Sequence, residues 1–125
     1  METIRKNVFM VDDDMTILTI GRNVLSEKYN VFTMNSGDKM MKMIKKTTPD
    51  LVLLDVEMPE MSGYEVMKAM KAEKETEGIP VIFLTAKDDV ESVRVGQSLG
   101  AAGYIIKPFS PPDLIRRLEQ FFAGG

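Results

Sequence analysis

Four apolar runs in this chain each end on groups that can do chemistry. Val8-Phe9-Met10-Val11 leads into Asp12-Asp13-Asp14, and Leu51-Val52-Leu53-Leu54 leads into Asp55. Val81-Ile82-Phe83-Leu84 leads into Thr85, and Tyr104-Ile105-Ile106 leads into Lys107. If the runs are parallel strands of one sheet, their C-terminal ends gather three or more acids, a hydroxyl and an ammonium in one crevice. Open α/β sheets bind their ligands at such edges. Clustered carboxylates repel one another unless a cation lies among them. The constellation therefore suits a divalent cation and a phosphoryl group.

The rest of the composition narrows the chemistry further. Histidine and cysteine are both absent, so there is no imidazole or thiolate for metal binding, nucleophilic attack or disulfide formation. Serine-protease-type and zinc-hydrolase readings lose their usual parts. With 125 residues, 44% hydrophobic and 28% charged, residues 1–125 fit one domain with its own core. A formal net charge of −3 supplies no basic field for direct nucleic-acid binding. The charged N-terminus lacks a signal-peptide pattern and no apolar run reaches membrane-spanning length. The expectation is a cytoplasmic chain without membrane insertion.

Strand-like runs alternate with helix-like stretches, which predicts a βα repeat and a parallel sheet. Strand one is near-continuously apolar, as a strand covered on both faces should be. Ile17, Ile20, Val24 and Leu25 then recur at helical spacing behind Asp14 as cap. Val31–Met34 reads as a second strand. Ser36-Gly37 turns into a helix carrying Met40, Met41, Met43 and Ile44, ended by Thr47-Thr48-Pro49. Asp38 and Asp88 are read as helix caps. Ser62 and Glu65 have capping-box spacing ahead of Val66, Met67 and Met70, and Asp88 and Glu91 repeat that spacing for a fourth helix that Gly100 ends. The polar stretch Glu73–Gly78 reads as a surface loop. Ser110-Pro111 opens a last helix with Leu114, Leu118 and Phe121 facing the core. The eleven methionines read as core filler, and Lys42, Lys45 and Lys46 as a solvated face. Five strands and five helices with right-handed crossovers give a three-layer α/β/α sandwich. The expected form is the flavodoxin-like doubly wound (βα)5 fold with strand order 2-1-3-4-5.

Several motifs occur together in a recognisable order: Val11-Asp12-Asp13, Pro49-Asp50-Leu51-Val52-Leu53-Leu54-Asp55, Met58-Pro59, Gly63, Thr85-Ala86 and Lys107-Pro108-Phe109. Together they resemble the receiver domain of two-component response regulators over essentially the whole chain. The Ala102-Gly103-Tyr104 approach to Lys107 resembles the single-domain, chemotaxis-type receivers. The resemblance implies that Asp55 is the phosphoacceptor for a phosphohistidine on a sensor histidine kinase or histidine phosphotransfer protein. It implies Mg²⁺, with Mn²⁺ as a substitute, bound directly by Asp13 and Asp55, largely through water by Asp12, and by the backbone carbonyl of Glu57. Lys107 and Thr85 would contact the phosphoryl oxygens.

By the same resemblance, Thr85 and Tyr104 form a switch that alters the surface of the fourth helix, fifth strand and fifth helix for a downstream protein target. The chain would be a monomer or a dimer formed on phosphorylation, and Lys107–Pro108 a cis peptide. Glu57 and Lys87 stand two residues beyond Asp55 and Thr85 and are expected at the rim, modulating the lifetime of the acyl phosphate. The expected role is a signalling domain and not an enzyme, beyond its own phosphoryl transfer and slow autodephosphorylation. A phosphatase or mutase with an aspartyl nucleophile would need a second acid beside it and a cap insert. Asp55 is instead followed by Val56-Glu57, and a chain this short has little room for a cap. A purely structural docking module would have lost the acids that this chain retains.

Overall fold

The strands form because β-branched and large apolar residues recur without polar interruption, which only a sheet covered on both faces accommodates. In the computed structural model, which describes residues 4–86 and 90–124, these runs are β1 (Asn7–Val11), β2 (Asn30–Met34), β3 (Leu51–Asp55), β4 (Val81–Thr85) and β5 (Gly103–Ile106). They make one parallel sheet in the order β2-β1-β3-β4-β5. Every residue of β3 and β4 is buried. Between them run α1 (Met15–Leu25), α2 (Gly37–Met43), α3 (Gly63–Lys71), α4 (Val90–Ser98) and, at the end, α5 (Pro111–Gly124). No helix among the described residues is long and apolar enough to cross a membrane.

Alternation along each strand sorts its side chains into two cores. Phe9, Val11, Val52, Leu54 and Phe83 pack with Met40, Val66, Met67 and Met70 of α2 and α3. Val8, Met10, Leu51, Leu53, Ile82 and Leu84 pack with Leu18 and Leu25 of α1 and with Leu114 and Leu118 of α5. Phe121 packs, partly buried, against this second core. Among the described residues, five methionines are fully or nearly fully buried, filling the cores as expected, while Lys42, Lys45 and Lys46 are exposed.

The helix starts follow their caps. Asp14 accepts from the Thr16 N–H, and Ser62 and Glu65 form the complete capping box of α3. Ser110 accepts from the Asp113 N–H at 3.2 Å at the start of α5. Gly100, at φ 87°, follows α4 in the left-handed conformation that glycine adopts without strain.

Three expectations are corrected. The inward face of α1 is centred on Leu18, Gly21 and Leu25, while Ile20 is 37% exposed. A Cβ at Gly21 would lie 2.0 Å from the Met10 sulfur, so that glycine lets the methionine in and sets the helix's rotation. The cap of α2 is Ser36, whose side chain accepts from the Lys39 N–H, and Asp38 sits inside the first turn. Within the polar stretch 73–78, Thr76 is buried and donates to the Met70 carbonyl at 2.6 Å, fastening the end of α3. The caps expected at Asp88 and Glu91 rest on side chains outside those described.

Candidate functional site

The chain runs from β1 to β2 on one side and then crosses to β3 on the other, so the sheet's winding reverses between β1 and β3. Residues just past the C-terminal ends of these two strands face a crevice that no connection covers. Register decides which residues those are. Val11 pairs with Leu54, Asp55 with Leu84, and Thr85 with Ile106. Asp12 and Asp55 therefore arrive at one level of the same edge, and Lys107 leaves β5 two residues beyond that level. Backbone bonds fix the exits, from Asp12 N–H to the Met34 carbonyl at 3.2 Å, Val56 N–H to Leu84 at 3.0 Å, and Lys107 N–H to Thr85 at 2.7 Å.

Gly63 brings α3 against this edge. A Cβ there would fall 2.2 Å from the Asp55 carbonyl oxygen and 3.1 Å from the Val56 Cα, contacts with rigid backbone that only glycine avoids. The Gly63 N–H donates to the Val56 carbonyl at 2.9 Å. Just before it, Glu60 holds φ 70° with the Met61 N–H donating to Pro59 across it at 2.7 Å. That is a tight turn in a strained region of backbone space.

The side chains converge accordingly. Asp12 is fully buried and Asp55 is 3% exposed. Lys107 Nζ lies 2.9 Å from Asp12 Oδ2 and 3.1 Å from Asp55 Oδ1, bridging the two. The Asp14 N–H donates to Asp12 Oδ1 at 2.9 Å. Asp13 is exposed, yet one carboxylate oxygen from each of Asp12, Asp13 and Asp55 lies within 4.8 Å of the others. These acids, with Asp14, Glu57, Ala86 and Lys107, line a cavity of about 290 Å³. Three hard oxygen donors from separate backbone positions at that spacing make an acidic pocket able to hold a metal ion.

Electrostatics follow from the crowding. Burial, and then the neighbouring Asp12 charge, push the Asp55 carboxyl from 3.8 up to about 7, against the pull of Lys107 and with a further push from Asp13. Burial works to lower Lys107, but hydrogen bonds and charge from Asp12 and Asp55 outweigh it and hold its ammonium above the ordinary lysine range.

Two other expected residues sit elsewhere. Thr85 is 1% exposed at the end of β4 and does not line the cavity, although its carbonyl anchors Lys107. Tyr104 is half-buried away from the acids, its hydroxyl donating to the Val93 carbonyl at 3.2 Å. Glu57 is exposed at the cavity lining, and Lys87 lies outside the described residues. The Lys107–Pro108 peptide is cis. Ala86 and the closing role of Gly63 were not drawn out of the sequence. Both appear there only as parts of motifs, and Ala86 carries no reactive group to flag it.

A sequence model of the response regulator receiver domain matches residues 8–119. The chain belongs to that family. As a receiver domain of two-component response regulators it is a phosphoacceptor switch, and the acids named above are its acidic pocket. The DNA-binding response regulator MtrA of Mycobacterium tuberculosis is 35% identical over 120 residues, 95% of this chain but 51% of that protein. The receiver domain described here thus spans about half the length of that curated relative. Among solved structures, chemotaxis protein CheY4 of Vibrio cholerae superposes with a TM-score of 0.89 at 30% identity, covering 94% of this chain and 98% of that one. The BeF3-activated DrrB receiver domain gives 0.85 at 32% identity, covering 96% and 99%.

Proposed function

We propose that Asp55 takes a phosphoryl group from a phosphohistidine on a sensor histidine kinase or a histidine phosphotransfer protein. What carries this reading is the Lys107 ammonium held between Asp12 and Asp55 inside a pocket of three converging carboxylates. A fold stabilised only by apolar packing has no use for that arrangement. It suits a carboxylate nucleophile meeting an anionic group.

One Asp55 oxygen attacks phosphorus, an O–P bond forms, and the P–N bond breaks with its electron pair returning to the departing imidazole. The transition state is loose, so the protein's contribution is positioning and charge stabilisation. Lys107, already hydrogen-bonded to Asp55, turns its charge to the oxygens of the arriving group. Asp13, Asp55 and the Glu57 carbonyl would hold Mg²⁺ directly and Asp12 largely through water, and the ion supplies the positive charge that lets two anions approach. Asp12 keeps Lys107 in place from below.

Thr85 stands behind the pocket wall, so contact with the phosphoryl group requires it to move forward, and Tyr104 turns into the space it leaves. The surface of α4, β5 and α5 changes with that motion, and a downstream target binds one form better than the other. Glu57 and Lys87 set the lifetime of the acyl phosphate by controlling access of water.

Incubation with phosphoramidate and Mg²⁺, followed by intact mass and peptide mapping, tests the core of this reading. One phosphoryl group on Asp55, lost in Asp55→Asn, is the expected result. Stoichiometric label on Asp12 or Thr85 overturns it.

A further inference from the structure

Helix α4 carries a glycine, Gly96, in its last turn, where glycine is among the least favourable residues. What surrounds it shows what the missing side chain admits. A Cβ on Gly96 would lie 1.3 Å from the Tyr104 hydroxyl oxygen, 2.4 Å from its Cζ and 3.1 Å from its Cε2. The end of the phenol thus occupies the volume that any other residue's side chain would fill. From there the Tyr104 hydroxyl donates to the carbonyl of Val93, one turn back along α4, at 3.2 Å. Gly96 itself is buried.

Backbone bonds fix both sides of this socket. The end of α4 closes on the Gly96 and Gln97 carbonyls, which accept from the Ala101 N–H at 3.0 Å and the Gly100 N–H at 2.9 Å, with Gly100 left-handed. The Ala102 N–H then donates to the Val81 carbonyl at 2.8 Å, tying this turn to β4. On the strand side, Tyr104 pairs with Phe83 across the β4–β5 ladder, and their rings lie 5.7 Å apart. Thr85 stands two residues beyond Phe83, so it shares that face of β4 about 7 Å further along. Burial is the main reason that the Tyr104 phenol is pushed up to about 12, and the hydroxyl keeps its proton at neutral pH. With Tyr104 in the socket, Lys107 is bonded directly to Asp55, the pairing that precedes phosphoryl arrival in the proposed mechanism.

We infer that Gly96 is a positioning residue, whose bare Cα gives the Tyr104 phenol a socket in α4 that holds this helix to β5 in the form preceding phosphorylation. The inference rests on the proposed switch through Tyr104 and identifies the site that Tyr104 must leave for it to operate. Alanine at Gly96 has two opposing effects. It favours the helix by its own propensity, and it expels the phenol, because a methyl carbon and an oxygen cannot share that space. Once the phenol is removed, only the first effect remains. Spatial adjacency alone is not coupling, and a double-mutant cycle supplies the missing measurement.

The cycle is urea unfolding, in chelator, of the parent, Gly96→Ala, Tyr104→Ala and the double variant. Gly96→Ala should lower the urea midpoint in the parent background and raise it in the Tyr104→Ala background. Equal shifts in the two backgrounds overturn the inference. A second measurement needs only the parent and Gly96→Ala, labelled with 13C at the tyrosine ζ carbons and 15N at the amides. With Mg²⁺ and beryllofluoride as phosphoryl mimic, Gly96→Ala should reach half-conversion of the α4 amide signals at about a two- to tenfold lower beryllofluoride concentration, the range set by the one hydrogen bond to Val93. A merely structural loss of stability does not lower that midpoint, and an unchanged or raised one overturns the inference. If beryllofluoride leaves the Tyr104 signal unmoved in the parent, the switch reading fails instead, and the urea cycle still decides whether Gly96 seats Tyr104.

Discussion

Asp55→Asn should make the metal-free protein more stable at neutral and alkaline pH while abolishing its chemistry. The Asp55 carboxyl is raised from 3.8 to about 7, first by burial and then by Asp12. The folded chain therefore holds a proton that the unfolded chain releases, throughout the interval between those two values. The stabilisation from that proton is fully present below 3.8 and is lost as pH rises through about 7. At about 1.4 kcal/mol per pH unit, the full shift corresponds to about 4 kcal/mol. Lys107 is 17% exposed and the pocket opens to water, so screening reduces the realised effect to about 1–3 kcal/mol. Asparagine keeps the shape and an acceptor for Lys107 but carries no titrating charge. Urea unfolding in chelator, at steps between about pH 5 and about pH 8, should show the parent losing stability relative to Asp55→Asn, with the whole gap open at the upper end. Saturating Mg²⁺ should close the gap, because binding to the folded parent stabilises it by mass action. Parallel pH profiles for the two proteins in chelator would refute the electrostatic reasoning.

Four further outcomes follow from the same geometry. Asp13→Asn should weaken Mg²⁺ binding sharply by removing an anionic ligand, and a metal titration matching the parent would show the pocket to be wrongly assigned. Lys107→Met leaves Asp12 and Asp55 without their shared cation and should lower metal-free stability by about 3 kcal/mol, read as a fall in the urea midpoint at constant slope. Gly63→Ala forces a methyl against the Asp55 carbonyl and should cost about 1–3 kcal/mol, whereas Gly78→Ala, with nothing within 4 Å of its Cβ, should be close to neutral in the same assay. Glu57→Ala should change the decay of the Asp55 acyl phosphate, timed by intact mass, and an unchanged half-life would leave Glu57 a solvated side chain.

The sheet was readable because β3 and β4 are buried on both faces, so their composition is uniform and their ends abrupt. Asp55 and Thr85 each close a fully buried strand, and that abruptness is what located the site. The rotation of α1 was not readable from apolar spacing. Its inward face is built on Gly21, a residue without hydrophobic weight whose importance lies in the Met10 side chain it admits. Asp38 was a plausible cap, but Ser36 alone has the extended backbone, φ −157° and ψ 157°, that lets a side chain reach back to the first turn. Thr85 was expected at the site from its position, yet its absence from the cavity lining depends on side-chain packing that no spacing rule encodes. The ring contacts from Tyr64 to Phe83 and from Phe83 to Tyr104 join residues on three elements, and nothing in any local sequence pairs them.

The site and the core obey opposite requirements. The two cores are apolar and densely filled, while the crevice between them holds three carboxylates against one ammonium. An arrangement optimised for stability would remove one acid or add a second cation, and the raised Asp55 carboxyl shows that neither has happened. The excess negative charge makes the folded state sensitive to whatever enters the pocket, because a cation relieves repulsion that the chain cannot relieve by itself. Sensitivity at Asp55 would matter little if the surrounding backbone could relax around it. Gly63 pressed on the Asp55 carbonyl and the strained turn at Glu60 restrict that relaxation. Under the proposed switch, a change of charge at this edge would be passed on to side chains that can move, Lys107 and Thr85 first.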